Sequence, residues 1–109
     1  MTRMERLLCI MARLRDPRSG CPLDREQSWE SIAPHTLEEA YELADAISRG
    51  EPAHVRDELG DLLFHVVFQA RIAEERGLFD FEDVAGAIGD SSNGATRTCS
   101  ATCASTTSP

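Results

Sequence analysis

The sequence predicts an all-α fold, an antiparallel helical bundle, on three observations. Apolar residues recur at three- and four-residue spacing in four separate segments. No stretch alternates apolar and polar residues as a half-buried strand does. Gly50 and Pro52 lie so close together that the segments on either side must fold back on one another.

The first segment spans residues 2–15, with Met4, Leu7, Leu8, Met11 and Leu14 as its stripe and Thr2 available as a cap. Asp16-Pro17 and Ser19-Gly20 break it. A long connection then runs to Pro34 through Cys21-Pro22-Leu23-Asp24 and Trp29, and such a length in a small domain is either functional or unstructured. The second helix is predicted to begin near Thr36, where Thr36 and Glu39 fit a capping box, and to end at Gly50. Its stripe is Leu37, Ala40, Tyr41, Ala44 and Ile47. Pro52 suits the first turn of a third helix running to about Arg76, with Gly77 as its stop. Val55, Leu59, Leu62, Leu63, Val66, Val67 and Ala70 are expected to form its broad buried face. A short fourth helix follows from Asp80, as cap, through Val84 and Ile88.

At 109 residues the chain is expected to hold one domain, residues 1–89, followed by a disordered tail over 90–109. A formal charge of −8 argues against a nucleic-acid polymer as partner. It admits a phosphate-bearing small molecule if a metal ion stands between carboxylates and phosphates. No apolar run approaches the ~20 residues that cross a bilayer, so no membrane partner is expected. Met1 to Arg15 lacks the continuous apolar stretch of a signal peptide, and a cytoplasmic location is the expectation. Cys9, Cys21, Cys99 and Cys103 form no C-x-x-C pair and read as free thiols.

The chemistry concentrates in acids. Glu38, Glu39 and Glu42 lie on the second helix, Glu58 and Asp61 on the third. Glu39 and Glu42 share a helix face, as do Glu58 and Asp61. Tyr41 and Leu43 flank the first pair; Leu59, Leu62 and Leu63 flank the second. An antiparallel pair joined by a tight turn can bring both faces together. Acids converging in one cleft repel one another unless a cation joins them, and all-oxygen ligation selects Mg²⁺, with Mn²⁺ as the alternative, over zinc. A solvated helix face has the same composition, so each pair alone decides nothing. A di-iron site would need Glu-x-x-His on two helices, and only Glu51–His54 offers it.

Glu38-Glu39-x-x-Glu42 followed by Glu58-x-x-Asp61 resembles the E-E-x-x-E…E-x-x-D signature of the MazG family. The likeness extends over nearly all of residues 6–88. It implies the all-α NTP pyrophosphohydrolase fold, a homodimer or larger homo-oligomer, and hydrolysis of a nucleoside triphosphate to the monophosphate and pyrophosphate. By motif position, Glu39, Glu42, Glu58 and Asp61 would hold Mg²⁺. Glu38, Glu39 and Glu42 form the expected catalytic group, with Glu38 a further ligand or the residue that orients the attacking water. Arg13, Arg15 and His54 are candidate substrate contacts, set against solvated helix-end charges and a surface histidine. Leu23 stands where the family usually has Trp, and His35 where Tyr is common. The alternative to an enzyme is a catalytically inactive MazG-type dimerisation domain or gene remnant.

From Ser91 to Pro109 serine and threonine dominate and the family text stops. Loss of one nucleotide after Asp90 accounts for this. Restored, GC-rich codons for the same tail read Lys-Leu-Glu-Arg-Arg-His-Pro-His-Val-Phe, text of the kind with which the family continues its last helix. The expected consequence is an incomplete last helix that lacks the family's basic phosphate clamp.

Overall fold

The computed structural model describes the backbone of residues 1–94 and the side chains of residues 1–90. Five helices follow in order: α1 Arg3–Leu14, α2 Pro22–Arg25, α3 Trp29–Arg49, α4 Pro52–Glu75 and α5 Phe81–Gly94. Among the described residues there is no strand, and the all-α expectation holds. The disordered reading of the tail beyond Gly94 lies outside the described residues. The last helix does not stop near Gly89 but continues to Gly94.

Local chemistry accounts for most helix ends. Thr2 Oγ1 accepts the Glu5 N–H at 3.0 Å while Glu5 Oε1 accepts the Thr2 N–H at 2.7 Å, closing a capping box on α1. Asp80 and Asp83 make the equivalent reciprocal pair ahead of α5, at 2.9 and 3.0 Å. Gly77, at φ 71°, ends α4. Leu78 N–H reaches Ala73 O and Gly77 N–H reaches Glu74 O, both at 3.0 Å, which is the Schellman pattern. Gly50, at φ 70°, turns α3 back towards α4, and Pro52 opens that helix where no N–H is required.

The start of the second predicted helix moves. The long helix begins at Trp29, capped by Ser28 and Ser31 rather than by Thr36 and Glu39, and Pro34 lies inside it. So near an N-terminus a proline leaves only the Glu30 carbonyl without its helical donor. Tertiary contacts secure that first turn: Ile32 is buried, and the Trp29 indole N–H donates to Gln69 O at 3.0 Å. The rest of the long connection is shortened further by α2, a single turn opened by Pro22.

The core sits at one end of the α3–α4 hairpin. Met11, Ile32, Val67, Phe68 and Ile72 form it, with Met4, Leu7, Leu8, Trp29, Phe64 and Phe81 packed around. The broad buried face expected on α4 is therefore corrected. Val67 and Ala70 are buried, but Leu59, Leu63 and Val66 are exposed. On α3 the predicted stripe likewise faces outward: Leu37, Tyr41 and Ile47 are exposed, while Ile32 and Ala46 are buried. Periodicity marks an apolar face; it does not say what covers that face.

Candidate metal centre in the helical hairpin

Ile32, Thr36, Glu39, Leu43 and Ala46 recur at helical spacing along α3, and Glu58, Asp61, His65 and Gln69 do so along α4. The polar members of both sets meet in the hairpin seam. Glu39, Glu58 and Asp61 each bring a carboxylate oxygen to within 4.8 Å of the others. Glu39 Oε2 and Glu58 Oε1 are buried and find no hydrogen-bond partner among the described residues. A hydrogen bond to Glu58, which requires a proton shared between the two carboxyls, pushes the Glu39 carboxyl up to about 7; burial and the charges of Glu58, Glu42 and Asp61 act in the same direction. Two acceptor oxygens forced together without a donor need either a shared proton or a cation. The donor set, all oxygen, fits a hard divalent ion.

Glu42 lies at the rim. It is exposed, influences Glu39 through its charge, and lines a shallow cavity of about 480 Å³ with Tyr41, Asp45, Arg49, His54 and Glu58. Glu38 turns away from the cluster, 73 % exposed with His35 Nδ1 3.4 Å from its carboxylate. His54 is drawn to the site by its i,i+4 spacing: Nε2 lies 2.9 Å from Glu58 Oε2, and Nδ1 lies 3.5 Å from Glu51 Oε1. Glu51 first, then Glu58, hold its imidazole above the usual histidine range.

The two arginines lie elsewhere. Arg13 is exposed on α1 in a cavity with Thr2, Arg6 and Ile10. Arg15 is 8 % exposed and fully engaged. Its guanidinium donates twice to the Glu75 carboxylate, at 2.6 and 3.1 Å, and to Asp24 O and Gln27 O at 2.7 and 2.8 Å, while lying over the Phe68 ring. Glu75 is ~25 Å along α4 from Glu58 at 1.5 Å per residue. Arg15 is thus a strut between the connecting segment and α4.

The residues predict Thr36 as a helix cap and His65 as a packed histidine or a substrate contact; they do not predict the link between the two. Thr36 Oγ1 accepts from Gln69 Nε2 at 2.8 Å and lies 3.1 Å from His65 Nδ1. Burial holds the His65 imidazole below its usual range, and the His35 charge acts the same way, against Asp61. The available signal was positional: Thr36 lies three residues before Glu39, and His65 four after Asp61.

A helical hairpin with acids gathered in its seam defines a carboxylate centre of a kind able to hold a cation. The model of the MazG nucleotide pyrophosphohydrolase domain matches residues 27–90, and the chain belongs to that family. It is 58 % identical over 90 residues to the nucleoside triphosphate pyrophosphohydrolase of Escherichia coli strain K12, covering 83 % of this chain and 34 % of that protein. It is 50 % identical over 80 residues to the nucleoside triphosphate pyrophosphohydrolase/pyrophosphatase MazG of Thermotoga maritima, covering 73 % and 31 %. With the nucleoside triphosphate pyrophosphohydrolase of Mycobacterium tuberculosis, identity is 42 % over 88 residues, covering 79 % and 27 %. The chain spans about a third of the length of these relatives.

Proposed function

We propose that this chain hydrolyses nucleoside triphosphates to the monophosphate and pyrophosphate with Mg²⁺, Mn²⁺ being the alternative ion. One observation carries the reading: carboxylates from two helices converge within 4.8 Å, with two of their oxygens buried and lacking a donor among the described residues. Glu39, Glu58 and Asp61 would hold the ion, and Glu42 at the rim would complete the set. In-line attack on phosphorus builds negative charge on the phosphate oxygens, and a bound divalent ion supplies the opposing charge.

The chain's own residues then have separable tasks. Glu58 is oriented from the side by His54, whose imidazole faces the same cavity as Glu42 and is a proposed phosphate contact. Glu38 would orient the attacking water or act as a further ligand after leaving His35. Arg13 remains a proposed substrate contact reached only by a long substrate or another protomer. Arg15 we assign to the fold, since its donors are engaged by Glu75, Asp24 and Gln27.

We also propose a homodimer or larger homo-oligomer. Leu37, Tyr41 and Ile47 on α3 and Leu59, Leu63 and Val66 on α4 face outward, an apolar surface that association would cover. Among the described residues no helix is long and apolar enough to cross a membrane, and a cytoplasmic location belongs to the same proposal. The outward apolar residues also support a second reading, a MazG-type domain that assembles without catalysing.

Pyrophosphate release from mixed nucleoside triphosphates, with Mg²⁺, Mn²⁺ or chelator, tests the first reading. Turnover is expected to require the ion and to vanish in Asp61→Asn. Mn²⁺ binding and oligomerisation without turnover would select the second reading. A chain that binds neither ion overturns the metal centre altogether.

A further inference from the structure

The seam of a helical hairpin is most stable when its facing side chains are apolar. Here Thr36, His65 and Gln69 occupy seam positions beside the acids, each half-buried. Thr36 sits one turn from Glu39 on the same face of α3, and His65 one turn from Asp61 on the same face of α4.

Their hydrogen bonds join the two helices. A threonine hydroxyl has one hydrogen and two acceptor positions. Thr36 Oγ1 gives its hydrogen to Ile32 O at 3.3 Å within α3. From α4, Gln69 Nε2 donates to the same oxygen at 2.8 Å, and His65 Nδ1 lies 3.1 Å from it, donating in the tautomer that carries its proton on Nδ1. Apolar contact is non-directional and leaves two helices free to slide by fractions of an ångström. Hydrogen bonds specify distance and angle. The turn next to the carboxylates therefore has its α3–α4 spacing held by directional bonds, as the start of α3 is held by the Trp29 indole on Gln69 O.

We propose that His65 is a positioning residue for the carboxylate cluster: through the Thr36 hydroxyl it sets the separation of Glu39 from Glu58 and Asp61, and hence the fit of a divalent ion. This rests on the metal-dependent reading above. It makes His65 neither a ligand nor a proton carrier.

The test is Mn²⁺ titration of the whole chain by electron paramagnetic resonance, with thermal melting by circular dichroism in parallel. In His65→Leu the hydroxyl keeps Gln69 and Ile32 as partners, so the melting temperature is expected to hold or rise. Mn²⁺ affinity is expected to fall about tenfold, the lower end of what loss of an outer-shell partner costs. His65→Gln, whose amide can reach the same hydroxyl, is expected to restore most of the affinity. Equal affinity in wild type and His65→Leu overturns the proposal. So does a loss of affinity that tracks a loss of melting temperature and is not rescued by glutamine. If His65→Leu fails to fold, Thr36→Val, which removes this bond together with that from Gln69, is compared with Gln69→Leu, which removes only the latter. Equal affinity in those two overturns the proposal. Wild-type chain that binds no Mn²⁺ sinks the proposed function and this inference with it, an outcome read from the wild-type titration alone.

Discussion

The two halves of α4 share one helix and differ in what they do. In its C-terminal half Val67, Phe68, Ala70, Ile72 and Ala73 are all buried. Val67, Phe68 and Ile72 cluster with Met11 of α1 and Ile32 of α3, with Arg15 tied to Glu75 nearby. In its N-terminal half, from Pro52 to Phe64, no residue is buried, and the half-buried positions include a carboxylate, Glu58. The difference teaches where each requirement is met. Apolar burial at one end supplies the free energy of folding. The other end gathers like charges, which repel one another and destabilise the hairpin unless a shared proton or a cation joins them.

Substitutions at the two ends should separate stability from cation binding. Phe68→Ala, at the centre of the core, should cost about 3–5 kcal/mol of unfolding free energy, read by urea denaturation. Mn²⁺ affinity of whatever fraction remains folded should be unchanged; a matching loss would mean the halves are coupled. Glu58→Gln should do the reverse. Turnover should fall by roughly 100-fold or more, as when a group stabilising the transition-state charge is lost. Its melting temperature should hold or rise, because one of the crowded charges is gone.

Arg15→Leu sharpens the assignment of that residue. Loss of its charge-assisted bonds to Glu75 should cost about 1.5–3 kcal/mol, with no change in the KM for nucleotide at temperatures where the variant is folded. A raised KM with unaltered stability would return Arg15 to the substrate. The smallest expected effect is pH-dependent. Glu39 titrates near 7 in the cation-free fold, above its usual value of 4.5. Between those values the folded state holds more protons than the unfolded one, so stability falls as pH rises through that window. The cation-free chain should melt a few degrees higher at pH 5.5 than at pH 8, and saturating Mg²⁺ should close that gap by stabilising the pH 8 form. No narrowing of the gap on adding Mg²⁺ would argue against ion binding between these carboxylates.

Much of this organisation was legible in the residues themselves. Gly50, Pro52, Gly77 and Asp80 mark helix ends because their backbone or capping chemistry is local. Glu39, Glu42, Glu58 and Asp61 were readable as one group from the helical repeat, the short turn and the family likeness; Glu39, Glu58 and Asp61 converge, while Glu42 lies at the rim. The error at Pro34 was of another kind. A proline usually closes a helix, yet Ser28 caps this one and the buried Ile32 and the Trp29–Gln69 bond hold its first turn. Those contacts come from residues about 40 positions away, and no local pattern contains them.

Sequence alone therefore determined the all-α class, the hairpin and the identity of its acids, since these depend on propensity, capping and periodicity within one or two turns. Tertiary structure decided which face each helix turns inward. Leu59 and Glu58 are adjacent in the chain, and Glu58 enters the seam while Leu59 is exposed. It also converted Arg15 from a free cation into a strut and Thr36 from a cap into a bridge. The physical reason is the same each time. A side chain's neighbours across the seam set its burial and its hydrogen bonds, and the packing of whole helices chooses those neighbours.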